Sequence, residues 1–504
     1  MGVGYIVRTH FEKEFMKRGQ SQYGLRCIAS AVAVLSLFPV EVKSDLPHGE
    51  NGKYQVSCRP GLDKRTFVSG AVEQQIKSIS SQIADPKLKW IFSNCFPNTL
   101  DTTVKFGLKN GYPDTFIITG DIHAMWLRDS SAQVHNYLRL MKKDPQLQQM
   151  IKGLIRRQME CILIDPYANA FNEEATGEGW HTDNTQMAKE VNERKWEIDS
   201  LCYPLRLMYL YWKETGDTSI FDGLWEQTVA KILRTFREQQ RKEGDGPYRF
   251  SRNTSNAIGT LVAGVGNPVN PVGLVVSCFR PSDDATIFGF LIPSNMFLVS
   301  SLKQLNEVIE KTGKGREMLD NSRSLMKEVD RAIQEYGIIN HPRYGRIYAF
   351  EVDGYGGQNL MDDANVPSLL SAPYLGYVSE NDPVYQNTRR FVWSEANPYF
   401  YKGSAGEGIG GPHCGKDRIW HMSIIMKALT SENADEIRSC IAMLVNTDGD
   451  TGFMHESFHK DDAKVFGRPW FAWVNSLFAE LIIKTSEKYP YLLAEHYDQT
   501  NEKL

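Results

Sequence analysis

The 504-residue chain predicts a mainly helical fold, in which about a dozen helices form successive hairpins that close into a ring around a central cavity. Three observations predict it. Apolar residues recur at helical spacing in many separate segments. Strand-like runs are few and scattered. No Pro/Gly/Ser-rich linker or charge block interrupts residues 66–490, and no short-period repeat is present.

The helical segments are 72–84, 130–142, 146–164, 200–214, 217–241, 285–310, 314–336, 383–394, 418–430, 433–446 and 469–487. In the last, Trp470, Trp473, Val474, Leu477, Phe478, Leu481 and Ile482 step by three and four, a stripe wide enough to face a core. Strand-like runs cover 115–119, 260–264, 274–279 and 346–352. They do not alternate with the helices, which disfavours a doubly wound parallel sheet. An open helical solenoid is the competing architecture.

A hydrophobic share of 41% and a charged share of 23% belong to a globular chain able to bury a large core. A net charge of −4 gives no field that would hold a polyanion, so nucleic acid is excluded as an expected partner. Ten Trp, 22 Tyr and 24 Phe suit a site that stacks ring faces on sugars, although most such rings pack helices. The eight cysteines are dispersed without a Cys-x-x-Cys pair, which argues against a zinc ribbon or a thioredoxin-like centre.

Residues 27–40 form an apolar run too short for the roughly 20 residues of a membrane span, and Lys17, Arg18 and Arg26 supply the positive flank of a signal peptide. A start at Met16 would give that flank ordinary dimensions. The expectation is secretion or residence in the secretory lumen, with a Golgi-like signal anchor as the alternative and membrane contact only if the leader stays uncleaved. Asn253-Thr254-Ser255 is a glycosylation sequon.

Polar, glycine-rich clusters fall between the helices, where a ring would gather them at one mouth. Thr119-Gly-Asp-Ile-His-Ala-Met-Trp-Leu-Arg-Asp-Ser130 packs Asp121, His123, Trp126, Arg128 and Asp129 into about ten residues. Sugar hydroxyls need this mixture, because carboxylates accept, Arg donates and Trp covers a ring face. Helix capping alone would explain Asp129, Ser130 and Arg128 but not the rest. Trp196-Glu-Ile-Asp-Ser-Leu-Cys-Tyr-Pro204 sets Asp199 at a helix entrance, the place of a cap, yet among aromatic neighbours that would raise its pKa as a general acid requires. In Gln358-Asn-Leu-Met-Asp-Asp-Ala-Asn-Val-Pro-Ser368, one of Asp362 and Asp363 is expected on a substrate hydroxyl, since the spacing of a calcium loop is absent. Gly406-Glu-Gly-Ile-Gly-Gly-Pro-His413 lets backbone approach a ligand and lacks the ending of a phosphate loop. Gly452-Phe-Met-His-Glu-Ser-Phe458 encloses Glu456 between apolar neighbours without zincin spacing, and makes it the second candidate catalytic carboxylate.

These clusters, in this order, resemble glycoside hydrolase family 125, the exo-α-1,6-mannosidases, over about residues 85–487. The resemblance implies an (α/α)6 barrel, inversion, independence of metal or other cofactor, and an α-1,6-linked mannosyl glycan as partner. It places the general acid on Asp199 and the general base on Glu456, with Asp121, His123, Trp126, Arg128, Asp129, Asp363 and His413 gripping the terminal mannose. The expected organisation is a leader over 1–45, a polar connector over 46–65, the catalytic domain over 66–490 and a polar tail over 491–504. Two rival readings stay open: a zinc-dependent prenyltransferase-like helical barrel using His413 and Cys414, and an inactive mannose-binding protein.

Overall fold

The computed structural model describes residue 54 and residues 56–498, all within one compact unit that spans Val42–Leu504. The leader and its apolar run lie outside the described residues, as do residues 499–504. No described helix is long and apolar enough to cross a membrane.

Thirteen α-helices occur among the described residues. They are α1 (Gly70–Ser80), α2 (Pro86–Cys95), α3 (Asn98–Thr102), α4 (Leu127–Gln133), α5 (Pro145–Ile164), α6 (Asp199–Thr215), α7 (Gly223–Gln239), α8 (Ile292–Thr312), α9 (Leu319–Tyr336), α10 (Pro383–Val392), α11 (His421–Leu429), α12 (Ala434–Asn446) and α13 (Ala472–Lys488). Their starts are chemically marked. Asp85, Asp144 and Asp382 each accept a first-turn N–H and each precede a proline at the first helical position, which needs no N–H there. Gly216 and Gly313 end α6 and α8 in the left-handed conformation at φ 71° and 73°.

The inner wall of the barrel is built by α4, α6, α8, α11 and α13. Neighbours α4 and α6, α6 and α8, α11 and α13 pack directly, and α13 packs back on α4, which closes the ring. The remaining inner position is a run of turns. Tyr203 Oη of α6 donates to Val366 O at 3.0 Å and Tyr374 Oη donates to Glu480 of α13 at 2.9 Å, so residues 366–374 are tied to α6 at one end and to α13 at the other. This stretch stays irregular because Asp362 takes the N–H groups of Leu369 and Leu370 at 2.9 and 3.0 Å, and Pro373 has none to give. Outside, α5 packs on α7, α7 on α9, and α2 on both α12 and α13. Closure selects the barrel over the solenoid.

Of the strand expectations, that at 115–119 is met in part and two need correction. The run 115–119 belongs to a hairpin, Val104–Lys109 with Tyr112–Ile117, turned by Asn110-Gly111 at φ 53° and 80°. Residues 260–264 hold a 3-10 turn at Val262–Gly264 instead of a strand, and 274–279 run buried without a ladder. The described ends are also packed. Arg59 pairs with Glu73 and with Asp101 (2.6 Å), while Leu492 and Leu493 of the expected polar tail are fully buried.

Candidate active site

Short strands immediately before the inner helices carry the polar motifs to the barrel mouth. Met125–Trp126 pairs with Ala170–Phe171, which pairs with Val191–Glu193, and delivers Arg128 and Asp129 into the first turn of α4. Trp126 is buried there against Ala124 and Ala170. Arg128 is buried among four carboxylates. Its Nη1 donates to Glu197 at 2.6 Å and to Asp199 at 3.1 Å, its Nη2 lies 3.5 Å from Asp283, and its Nε lies 3.4 Å from Asp129. Asp283 is the one whose side chain keeps appreciable exposure, 23% against 0% for Asp199. It stands at φ 68°, a left-handed conformation that an aspartate tolerates better than most residues and that is common where a loop serves a site.

Glu456 arrives from a different loop. Met454 N–H donates to Asn475 of α13 at 2.9 Å, and the His455 ring stacks on Phe466 at 3.7 Å. These contacts fix the backbone on which Glu456 stands. Arg468 lies 3.4 Å from one Glu456 oxygen, and the Cys414 thiol donates to the other at 3.3 Å. Arg468 also clasps Asp121 with Nη2 at 2.6 Å and Nε at 3.0 Å, which joins the first motif to the last. Asp121 and His123 are exposed on the rim.

The glycine-rich segment forms a third side. His413 Nδ1 lies 3.1 Å from Asp284 Oδ1, and Asp363 accepts from Ser282 at 3.2 Å and from the Asn365 N–H at 3.1 Å. A side chain at Gly411 would stand 3.1 Å from the Asp363 carboxyl, and one at Gly410 would stand 2.1 Å from Arg418 O. Glycine is therefore required for this close approach. Asp362 caps turns, as described above, so Asp363 is the member of the pair that faces the site.

Burial and charge set the titration. Burial pushes Asp129 up to about 6 against the pull of Arg128, and raises Glu197 and Asp199 as well. Asp283 is held low although burial opposes it, because Lys195 and Arg128 favour its charged form. His413 is raised to about 9; burial works against this, but the charge of Asp284 and then that of Glu456 outweigh it. The buried Trp126 and Trp470 indole N–H groups and Asp284 Oδ2 have no hydrogen-bond partner, a donor and acceptor mixture that matches hydroxyl groups.

The structure thus gathers Arg128, Asp129, Glu456, Asp363, His413, Asp121 and Trp126 at one mouth. Asp199 is the exception. It is sealed at the entrance of α6 behind Arg128, whereas Asp283 shares its guanidinium and reaches solvent. Sequence reasoning passed over Asp283, Asp284, Glu197 and Arg468. The signal was there in Arg280-Pro-Ser-Asp-Asp284, a polar group ending an apolar run, and in Arg468-Pro-Trp470 ahead of the most evident helix. His413 and Cys414, the pair a zinc site would use, are engaged by Asp284 and Glu456 instead.

Comparison with known proteins gives three results. A family model described as metal-independent α-mannosidase (GH125) matches residues 85–483. The meiotically up-regulated gene 157 protein of Schizosaccharomyces pombe is 43% identical over 461 residues, covering 87% of this chain and 90% of its own. Among solved structures, a Streptococcus pneumoniae metal-independent α-mannosidase in a non-productive complex with α-1,6-mannobiose superposes with a TM-score of 0.81 at 42% identity, over 84% of this chain and 99% of that one. A bacterial glucoamylase, at 13% identity and a TM-score of 0.51 over 84% of this chain and 58% of its own, shares the fold alone.

Proposed function

Since the chain belongs to glycoside hydrolase family 125 and is an α-mannosidase, we propose that it removes terminal α-1,6-linked mannose with inversion, Asp283 serving as general acid and Glu456 as general base. The observation that carries the assignment is the pairing of two partly exposed carboxyls on separate loops, with His413 in the electrostatic reach of both.

In this reading Asp283, ionised in the empty site, takes up a proton as the sugar displaces solvent and passes it to the departing glycosidic oxygen, the C1–O bond breaks with its electron pair on that oxygen, and Glu456 draws a proton from the water that attacks C1 from the other ring face. Room for that water requires a carboxyl separation of about 6.5–9.5 Å, against about 5–5.5 Å in a retaining pair. Cys414 and Arg468 orient the base. Asp129, Asp363, His413 and Asp121 offer acceptors and a cation to the mannose hydroxyls, and Trp126 supplies an apolar wall.

Asp283→Asn and Glu456→Gln are each expected to slow release of mannose from α-1,6-mannobiose by about 10²–10⁴-fold, the usual worth of a general acid or base, while circular dichroism stays unchanged. Proton NMR of the first product should show the β-anomer; an α-anomer would refute inversion. The α-1,6-mannobiose complex of the pneumococcal relative supports the linkage. Lumenal or secreted residence rests on the leader, and fractionation of the native protein into soluble and membrane pools tests it.

A further inference from the structure

The charge balance around Arg128 points past the two catalytic carboxyls. Asp129, Glu197, Asp199 and Asp283 surround one guanidinium, and Asp129, Glu197 and Asp199 are buried. Lys195 and His413 are further cations, and Glu193 and Asp284 already hold them at 3.3 and 3.1 Å. Carboxyls this close and this dry do not all ionise, so the group must keep at least one proton. Glu197 is the side chain built to keep it. Its Oε2 takes Arg128 at 2.6 Å and the Ser200 hydroxyl at 3.0 Å. Its Oε1 is buried with no N–H or O–H donor to accept from. Glu197 and Asp283 hold the two Nη nitrogens of the same Arg128 guanidinium and each shifts the other's titration, and two neighbouring carboxyls can bond each other only through a proton.

Asp283 is fixed from the other side. Asn169 Nδ2 donates to Asp283 Oδ1 at 3.1 Å and to Glu193 at 3.0 Å, and Arg128 Nη2 stands 3.5 Å away. The charged and titratable groups facing the pair are therefore Arg128 and Asp129 from α4, Asp199 from α6, Lys195 and Glu193 from the strand segment before it, and His413 from the glycine-rich loop.

We infer that Glu197 is a positioning residue for acid catalysis, sharing one proton with Asp283 so that Asp283 can present it to the glycosidic oxygen. The inference rests on the assignment of Asp283 as the acid. In the empty site the proton resides mainly on Glu197, where burial is deepest. As the substrate displaces solvent from Asp283, the proton crosses the hydrogen bond: the Glu197 O–H bond breaks, the Asp283 O–H bond forms, and Glu197 is left as a carboxylate against Arg128 and Ser200. Donation to the leaving oxygen then leaves both carboxyls ionised. The proton that Glu456 took from water returns to solvent, and one proton from solvent restores the pair.

The test compares two leaving groups. Glu197→Gln keeps the shape and an N–H donor toward Asp283 but has no proton to hand over. It is expected to lower kcat on α-1,6-mannobiose on the order of 10²-fold, with little change in KM, and to leave kcat on 2,4-dinitrophenyl α-mannoside nearly intact, because that leaving group departs without protonation. The basic limb of the mannobiose pH profile should move to lower pH. Glu197→Asp, which retains a carboxyl, should recover part of the mannobiose rate. Equal losses on both substrates, or an unmoved basic limb with a melting temperature like that of the parent, would overturn the inference. Asp283→Asn run alongside separates the two claims: leaving-group dependence in Asp283→Asn without it in Glu197→Gln rejects the role of Glu197 alone, whereas its absence from Asp283→Asn rejects the acid assignment.

Discussion

Asp199 and Asp283 touch the same guanidinium, yet they have opposite fates. One opens an inner helix and is sealed by it; the other sits on a left-handed loop position and faces the mouth. Asp199→Asn is therefore expected to act mainly on stability, by leaving Arg128 short of a partner, and only secondarily on kcat; denaturant unfolding beside steady-state kinetics distinguishes this from Asp283→Asn. His413 makes a second single-residue prediction. Its folded pKa of about 9 lies above the usual 6.5, so its ion pair with Asp284 stabilises the fold fully below pH 6.5 and loses that contribution as pH rises through about 9. Unfolding midpoints of the parent and of His413→Gln should differ most near pH 6 and converge above about 9; a constant difference would contradict the pair.

Helix starts were readable at α5, α10 and α12, where an Asp or Asn cap meets a periodic stripe, whereas α7 was expected from 217 and begins at Gly223 behind its Asp222 cap. α13 and α5 were legible from their stripes. α2 was not, because its buried residues follow no apolar stripe: Lys87 and Asn94 are buried along with Leu88, Trp90, Ile91, Phe92 and Cys95, against α12 and α13. Its only clear signal was Asp85-Pro86, the same pair that opens α5 and α10. Asp85 carries more than its own helix. One oxygen caps Leu88 N–H at 2.8 Å and the other accepts the N–H groups of Tyr497 and Asp498 at 2.6 and 3.0 Å. Asp85→Ala is expected to cost about 1–2 kcal/mol for the cap and about 1–3 kcal/mol for the orphaned N–H groups, read from chemical denaturation. The motif residues Arg128, Glu456 and Asp363 were likewise visible, because dense polar side chains between helices have no packing explanation. Asp283 was masked by its neighbourhood: the apolar run 274–279 reads as a strand, and the polar Arg280-Pro-Ser-Asp-Asp284 that ends it was the one local hint.

For the whole molecule the decisive contacts join distant parts of the chain. Ala84 N–H donates to Leu493 O at 2.8 Å, Ala472 N–H to Thr119 O at 3.0 Å and Asp121 N–H to Trp470 O at 3.2 Å. Gly120, at φ 133°, would place any Cβ 2.3 Å from Trp470 O, so Gly120→Ala is expected to lower both melting temperature and activity by prising this seam apart. Such long-range pairing also makes folding slow, since distant segments must meet before they reward each other. The seam has a consequence for synthesis. A ribosome delivers Arg128 and Asp283 long before Glu456, and it delivers Arg468 and α13 last. Each nascent enzyme is consequently mute until the closing helix leaves the exit tunnel, and a chain halted before Ala472 should show neither mannose release nor a cooperative melt.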